Sequence, residues 1–184
     1  SRTRQLYHGF DFDRNREPKT IDRDLDLAIT EFAPGSQKTK DKRVYTAIGF
    51  TAPFLLRGGR LAPASDNPLP WRRWMLRCVR CHYTATAAMQ PTDTLCPFCG
   101  ASINDPQPFT VFRVAAPAAF RTSFDRGQDA RVDGELILGS ATILSEESNV
   151  PATLPVGSNT ALRLDRNGVV YRMNDRNRRQ FHGS

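Results

Sequence analysis

The chain has 184 residues, 39% of them hydrophobic, enough for one ordinary domain or one domain with a small insert. Thirteen prolines and twelve glycines favour turns over long helices, and no apolar run approaches the ~20 residues a membrane-spanning helix needs. The net charge of +7, with 22 of the 26 basic residues being arginine, suits a polyanionic partner, although abundant Ala and Pro show that part of the arginine excess is compositional.

Residues 1–18 contain four arginines and an aromatic patch, Tyr7-His8-Gly9-Phe10-Asp11-Phe12. Lacking clear periodicity, residues 1–20 read as a lead-in segment. From Ile21 to Phe32, Leu25, Leu27 and Ile29 alternate with Asp24, Asp26 and Ala28, which predicts a half-buried strand. Asp22, Asp24 and Asp26 have the spacing of a calcium loop, but Leu27 stands where Gly is needed and Ala33 where Glu is needed. Ala33-Pro34-Gly35-Ser36 is a turn. A basic loop over 37–43 then leads to a second strand, Val44 to Phe50. Lys38, Lys40 and Lys42 on that loop are candidate phosphate contacts, although a charged hairpin tip is also ordinary for a soluble hairpin.

Residues 57–70 are rich in Gly, Pro, Asn and Asp and read as a linker. Trp71 to Arg77 is a strand, with Arg72, Trp74 and Leu76 on one face and Trp71, Arg73 and Met75 on the other. It leads into Cys78-Val79-Arg80-Cys81, followed after fourteen residues by Cys96-Pro97-Phe98-Cys99-Gly100. These are all four cysteines of the chain. Two Cys-x-x-Cys turns facing each other aim four thiolates at one point, the signature of a structural zinc site. Disulfides belong to secreted domains, and no signal peptide is seen. His82 is expected to be a bystander or an outer hydrogen-bond donor, since four sulfurs already complete the shell. Arg72, Arg73, Arg77 and Arg80 surround the first knuckle and are candidate phosphate contacts. The interleaved tryptophans either stack on bases or anchor the ribbon.

Beyond the knuckles, Phe109 to Val114 predicts a strand. Phe120 and Phe124, within 117–130, are spaced as on a helical turn. Glu135 to Ala141 predicts another strand, and 145–157 a loop. Thr160–Leu164 and Val169–Met173 predict a hairpin closed by Asp165-Arg166-Asn167-Gly168. Residues 176–184 are a polar tail. The three histidines are scattered, and no nucleophile elbow, zinc-protease motif or phosphate-binding loop is present, so no enzyme activity is expected.

Several stretches together resemble the C-terminal zinc-binding region of large bacterial superfamily-two helicases, such as the helicase-linked proteins of DISARM-type phage defence. These are Asp24 to Ser36 with its Glu31-Phe32-Ala33-Pro34-Gly35-Ser36 core, Trp74-x3-Cys78-x2-Cys81, Cys96-Pro97-x-Cys99-Gly100, Ala116 to Thr122, and Val170 to Asp175. The likeness spans about 21–175. It implies an accessory element beside ATP-driven motor domains, helping to organise the protein or its DNA contacts. Only the four cysteines carry over as functional residues, and the motor motifs are absent.

The expected fold is mainly β: a small barrel or curled antiparallel sheet with an inserted four-cysteine zinc ribbon. The ribbon is assigned to 71–104, inserted between 21–70 and 105–175. The chain, which begins at Ser1, is expected to be part of a larger cytoplasmic protein. Its expected cofactor is structural Zn2+. Its expected partners are DNA and either the remaining helicase domains or a partner subunit, with no membrane association.

Overall fold

The computed structural model describes residues 2–11, 17–125, 127–129, 134–146, 154–155, 161–162 and 168–176. In chain order the elements are β1 (Thr3–Asp11), β2 (Glu17–Asp24), α1 (Leu25–Glu31), β3 (Gln37–Lys40), β4 (Arg43–Thr46), β5 (Gly49–Thr51), β6 (Phe54–Arg57), β7 (Arg60–Pro63), β8 (Trp71–Cys78) and β9 (Thr84–Ala87). They continue with β10 (Phe109–Ala116), β11 (Ala119–Arg121), β12 (Gln128–Asp129), β13 (Ala141–Ser145), β14 (Leu154–Pro155), β15 (Ala161–Leu162) and β16 (Val170–Asn174). The fold is mainly β, as expected, and its sheets are built mostly from antiparallel pairs. No closed barrel forms among the described residues. Among those residues, no helix is long and apolar enough to cross a membrane.

The chain divides into two compact units: Ser1–Trp71 with Ala115–Thr142 and Met173–Ser184, and Arg72–Val114 with Ile143–Arg172. The second holds β9, most of β8 and β10, and a returning segment.

In the first unit the principal sheet has the order β2-β1-β11-β5. The stretch read as a lead-in is in fact an interior strand of this sheet. Leu6 and Tyr7 on β1 are fully buried, and β1 runs parallel to β11, with Leu6 opposite Phe120. The pattern Leu6-Tyr7-His8 hides this role because three consecutive residues are buried, so no alternation shows. The ladder between β1 and β2 shifts register between Tyr7 and Gly9, leaving His8 as the bulged residue. Its ring lies 4.4 Å from that of Tyr45, tilted by 47°, and its Nε2 is buried with no hydrogen-bond partner among the described residues. Burial, with Lys40 and Lys19 nearby, outweighs Asp41 and a backbone hydrogen bond and pulls its pKa below the usual 6.5, so the neutral ring is favoured.

The predicted strand over 21–32 breaks at Asp24, after which Leu25–Glu31 is helical. A helical period places Ala28 and Phe32 on one face, and both are fully buried against Leu6, Ile21, Ala47 and Phe120. Leu27, expected to point inward, is 45% exposed. Phe32 and Phe50 flank Phe120 in edge-to-face contacts of 5.6 and 5.7 Å, a geometry that adds to the area they bury. Phe120 thus belongs to a strand rather than to the expected helical turn, and Phe124 has a left-handed backbone (φ 64°).

The expected turn at Ala33–Ser36 is present. Gly35 has φ +94°, and a Cβ there would lie 2.5 Å from Leu138 Cδ1. The basic loop over 37–43 is instead a tight hairpin, β3 against β4, turning at Asp41 and Lys42 with φ 51° and 61°. The stretch read as a linker, 57–70, instead begins with the turn and second strand of a hairpin, β6 against β7, turning at Gly58-Gly59. Glu135–Ser140 forms no ladder, although the Leu136 carbonyl accepts from Gln37 N–H at 2.7 Å, and the strand begins at Ala141.

The second unit contains the sheet β10-β8-β9, with Trp74 opposite Ala87 and Arg77 opposite Thr84. The predicted strands at 71–77 and 109–114 are both found there. The expected 160–173 hairpin is not: β16 pairs with β13, and β15 pairs with β14. Most of its turn, residues 165–167, lies outside the described residues, as do 147–153 and 156–157 of the expected loop and 177–184 of the tail. Thr86 and Tyr171 each donate a hydroxyl to Glu146 Oε1, at 2.8 and 2.9 Å, which ties the returning segment to β9.

Candidate metal centre

Each knuckle is built by the same local device. The N–H of Cys78 donates to the Tyr83 carbonyl at 2.9 Å, and that of Cys96 to the Ala101 carbonyl at 2.8 Å. In each loop the residue after the second cysteine is left-handed: His82 at φ 63° and Gly100 at φ 71°. The two knuckles are therefore geometric counterparts, with His82 in the place of Gly100. His82 is exposed and is not one of the clustered ligands, in keeping with the bystander reading.

The fold brings the four cysteines together. Their sulfurs lie within 4.8 Å of one another, with Cys78 Sγ 3.6 Å from Cys99 Sγ and Cys81 Sγ 3.6 Å from Cys96 Sγ. A disulfide requires about 2.05 Å, and all four cysteines are free. A regular tetrahedron with metal–sulfur bonds of about 2.3 Å places its sulfurs about 3.8 Å apart. Two of the sulfur–sulfur distances lie close to that value, and the cluster is positioned to bind a metal ion.

Its electrostatics agree. Burial alone would raise the Cys78 thiol, but hydrogen bonds from the Cys81 and Arg80 backbone N–H groups and from the Cys99 and Cys81 thiols outweigh it and bring the pKa down to about 7. Cys81 moves the other way, to about 12, raised by burial and by its three neighbouring sulfurs against the Tyr83 N–H. One thiolate forms readily and its neighbour resists; a bound cation removes that repulsion and lets the others ionise.

The centre is braced on both sides. Leu76, Phe109 and Ala101 are buried with Cys78 and Cys96 in one apolar cluster. Asp105 Oδ2 accepts from Arg80 at 2.9 Å and from the Ser102 N–H at 3.0 Å, linking the first knuckle to the exit of the second. Sequence reasoning missed Asp105, because its place in the proline-rich exit before Phe109 marks it only as ordinary turn chemistry.

The shared knuckle geometry makes a paired expectation. A left-handed backbone costs a non-glycine residue about 1–2 kcal/mol, so His82→Gly should stabilise the metal-bound protein by about 0.5–1 kcal/mol after glycine's entropic cost. Gly100→Ala should destabilise it by about 1 kcal/mol, by conformation alone, since nothing lies within 4 Å of an added Cβ. Denaturant unfolding of the metal-loaded chain checks both signs.

The basic candidates fare differently. Arg72, Arg73 and Arg77 lie along β8, with Arg73 and Arg77 on one face and Arg72 on the other. Arg80 is engaged by Asp105. Trp71 is exposed, whereas Trp74 is partly buried with the Arg113 guanidinium 5.5 Å from its ring centroid; sequence reasoning passed over Arg113. In the first unit Lys38 is no surface contact. It is buried, and its Nζ lies 2.8 Å from Glu31 and 2.5 Å from Glu135. Lys40 Nζ donates to the Thr20 carbonyl at 2.6 Å. Lys42 remains exposed at its hairpin turn.

No family model, curated protein or solved structure matches the chain.

Proposed function

We propose that the chain is a zinc-binding accessory module of a larger helicase-type protein, and that it contacts or guides DNA. The observation that carries this reading is the four-sulfur cluster at the end of β8, a strand that bears Arg72, Arg73 and Arg77. A closed thiolate shell suits zinc and leaves no position for catalysis, so its role is to hold that strand rigid. Unoxidised thiols set to bind metal suit a reducing compartment such as the cytoplasm. Arginine forks on a fixed strand suit phosphate contacts.

Elemental analysis of the purified chain should find one zinc per chain. Titration with duplex DNA should show affinity that falls steeply with salt. Replacing Arg72, Arg73 and Arg77 together with Gln should lower the salt slope by about 3. Undetectable DNA binding at low salt rejects the DNA reading.

A second reading is supported by the second knuckle, which exposes Leu95 (53%), Phe98 (71%) and Ile103 (66%). Apolar side chains of this size suit docking to a partner subunit or to motor domains. Under that reading, reversing the arginine charges leaves DNA binding by the full protein unchanged, and Phe98→Ser disrupts assembly instead.

A further inference from the structure

We propose that the β6–β7 hairpin is a second nucleic-acid contact: an arm that enters the minor groove of duplex DNA with its Arg57-Gly58-Gly59-Arg60 tip. This rests on the DNA-contacting reading above but uses a different element.

The arm is anchored at its root and open at its tip. Phe54 packs against Tyr7, Phe10 and Phe124, with ring centroids 4.9, 5.4 and 6.1 Å away. Its N–H donates to the Tyr7 hydroxyl at 3.1 Å, and the Ala64 N–H closes the base on the Pro53 carbonyl at 2.7 Å. Beyond this root the ribbon has only two strands. Leu55 and Leu56 are 45% and 57% exposed, and Arg57 to Arg60 are all exposed. A free two-stranded ribbon is marginal in water, so the anchor is what holds the arm in shape.

The tip's chemistry selects an anion. Arg57 and Arg60 are direct cross-strand partners, so both side chains leave the same face with their Cβ atoms about 5 Å apart. Like charges so placed repel, and neither has a carboxylate partner among the described residues. An external polyanion relieves this repulsion.

The shape selects the groove. Gly58 and Gly59 both have positive φ (54° and 74°), and nothing lies within 4 Å of a Cβ built on either. The leading edge is therefore bare backbone, the slimmest approach a ribbon offers. Major-groove reading requires polar side chains along the ribbon face, whereas behind these arginines that face carries Leu55 and Ala62. The minor groove asks for less: its negative potential attracts arginine, and apolar side chains serve there as wedges between base steps.

The test uses the full chain, metal-loaded, and a fluorescein-labelled A·T-rich duplex followed by anisotropy. The Arg57→Gln/Arg60→Gln double variant should keep the thermal transition of the wild type. It should bind at least about tenfold more weakly, with a salt slope smaller by about 2. Netropsin, which fills the minor groove, should displace the wild type and have little effect on what binding the variant retains. If the wild type binds no DNA, this proposal and the DNA-contacting reading fall together. If the wild type binds and the double variant binds equally well, the arm alone is rejected. Indifference of the wild type to netropsin, or equal displacement by polyglutamate, overturns the minor-groove assignment.

Discussion

Removing the metal is expected to unfold the second unit and leave the first standing. Apparent binding free energies for structural zinc in small modules are about 10–16 kcal/mol. The apolar cluster beneath the knuckles is small, and two of its five buried residues are cysteines, so little else holds these loops. With a strong chelator, or in Cys96→Ser, the backbone N–H groups of Cys78 and Cys96 should lose their protection from hydrogen exchange. The Thr122 N–H, bonded to the Tyr7 carbonyl at 2.9 Å in the first unit, should keep its protection. Amide exchange with and without chelator measures both in one experiment. Unchanged protection at Cys78 and Cys96 after complete metal removal contradicts a structural role for the ion.

Lys38→Met is expected to cost about 2–3 kcal/mol, the second large effect. The methionine fills the space but leaves Glu31 and Glu135 without their shared cation. Breaking a buried pair costs about 3–5 kcal/mol; the figure here is lower because Glu135 keeps 29% of its side-chain surface in solvent. Burial by itself would raise both carboxyls. Hydrogen bonds from Lys38, together with Arg23 at Glu31 and the Thr39 N–H at Glu135, outweigh it and hold both below the usual 4.5. Their contribution is therefore present above about pH 4.5 and lost as pH falls through the depressed values. The gap between variant and wild type should be widest near neutral pH and close in acid. Denaturant unfolding across pH measures it. A variant as stable as wild type at pH 7, with weaker DNA binding, restores Lys38 to the role of a phosphate contact.

The metal centre was legible because metal ligation is local: a Cys-x-x-Cys turn has one workable geometry, and its partner lies only fourteen residues away. Lys38 was not legible, because its partners sit at positions 31 and 135 and only the folded chain brings them together. The helix at Leu25–Glu31 failed for another reason. Leu25, Leu27 and Ile29 alternate as a strand would, while Ala28 and Phe32 carry the helical spacing, and packing against Phe120 decided between them. The same tertiary contact drew Phe120 itself into β11. The hairpin at Gly58-Gly59 was hidden by a composition rich in glycine and proline, which marks turns and linkers alike.

Because β1 lies beside β11 in parallel, the Arg4 guanidinium reaches the Pro117 carbonyl across 113 positions at 2.8 Å. On the ribosome, β1 emerges well before β11 and must wait for it before their sheet is complete. Until then it offers an open edge of Leu6 and Tyr7 to any neighbouring nascent chain. Slow folding of the first unit is the expected consequence of this arrangement, whatever the ion does in the second.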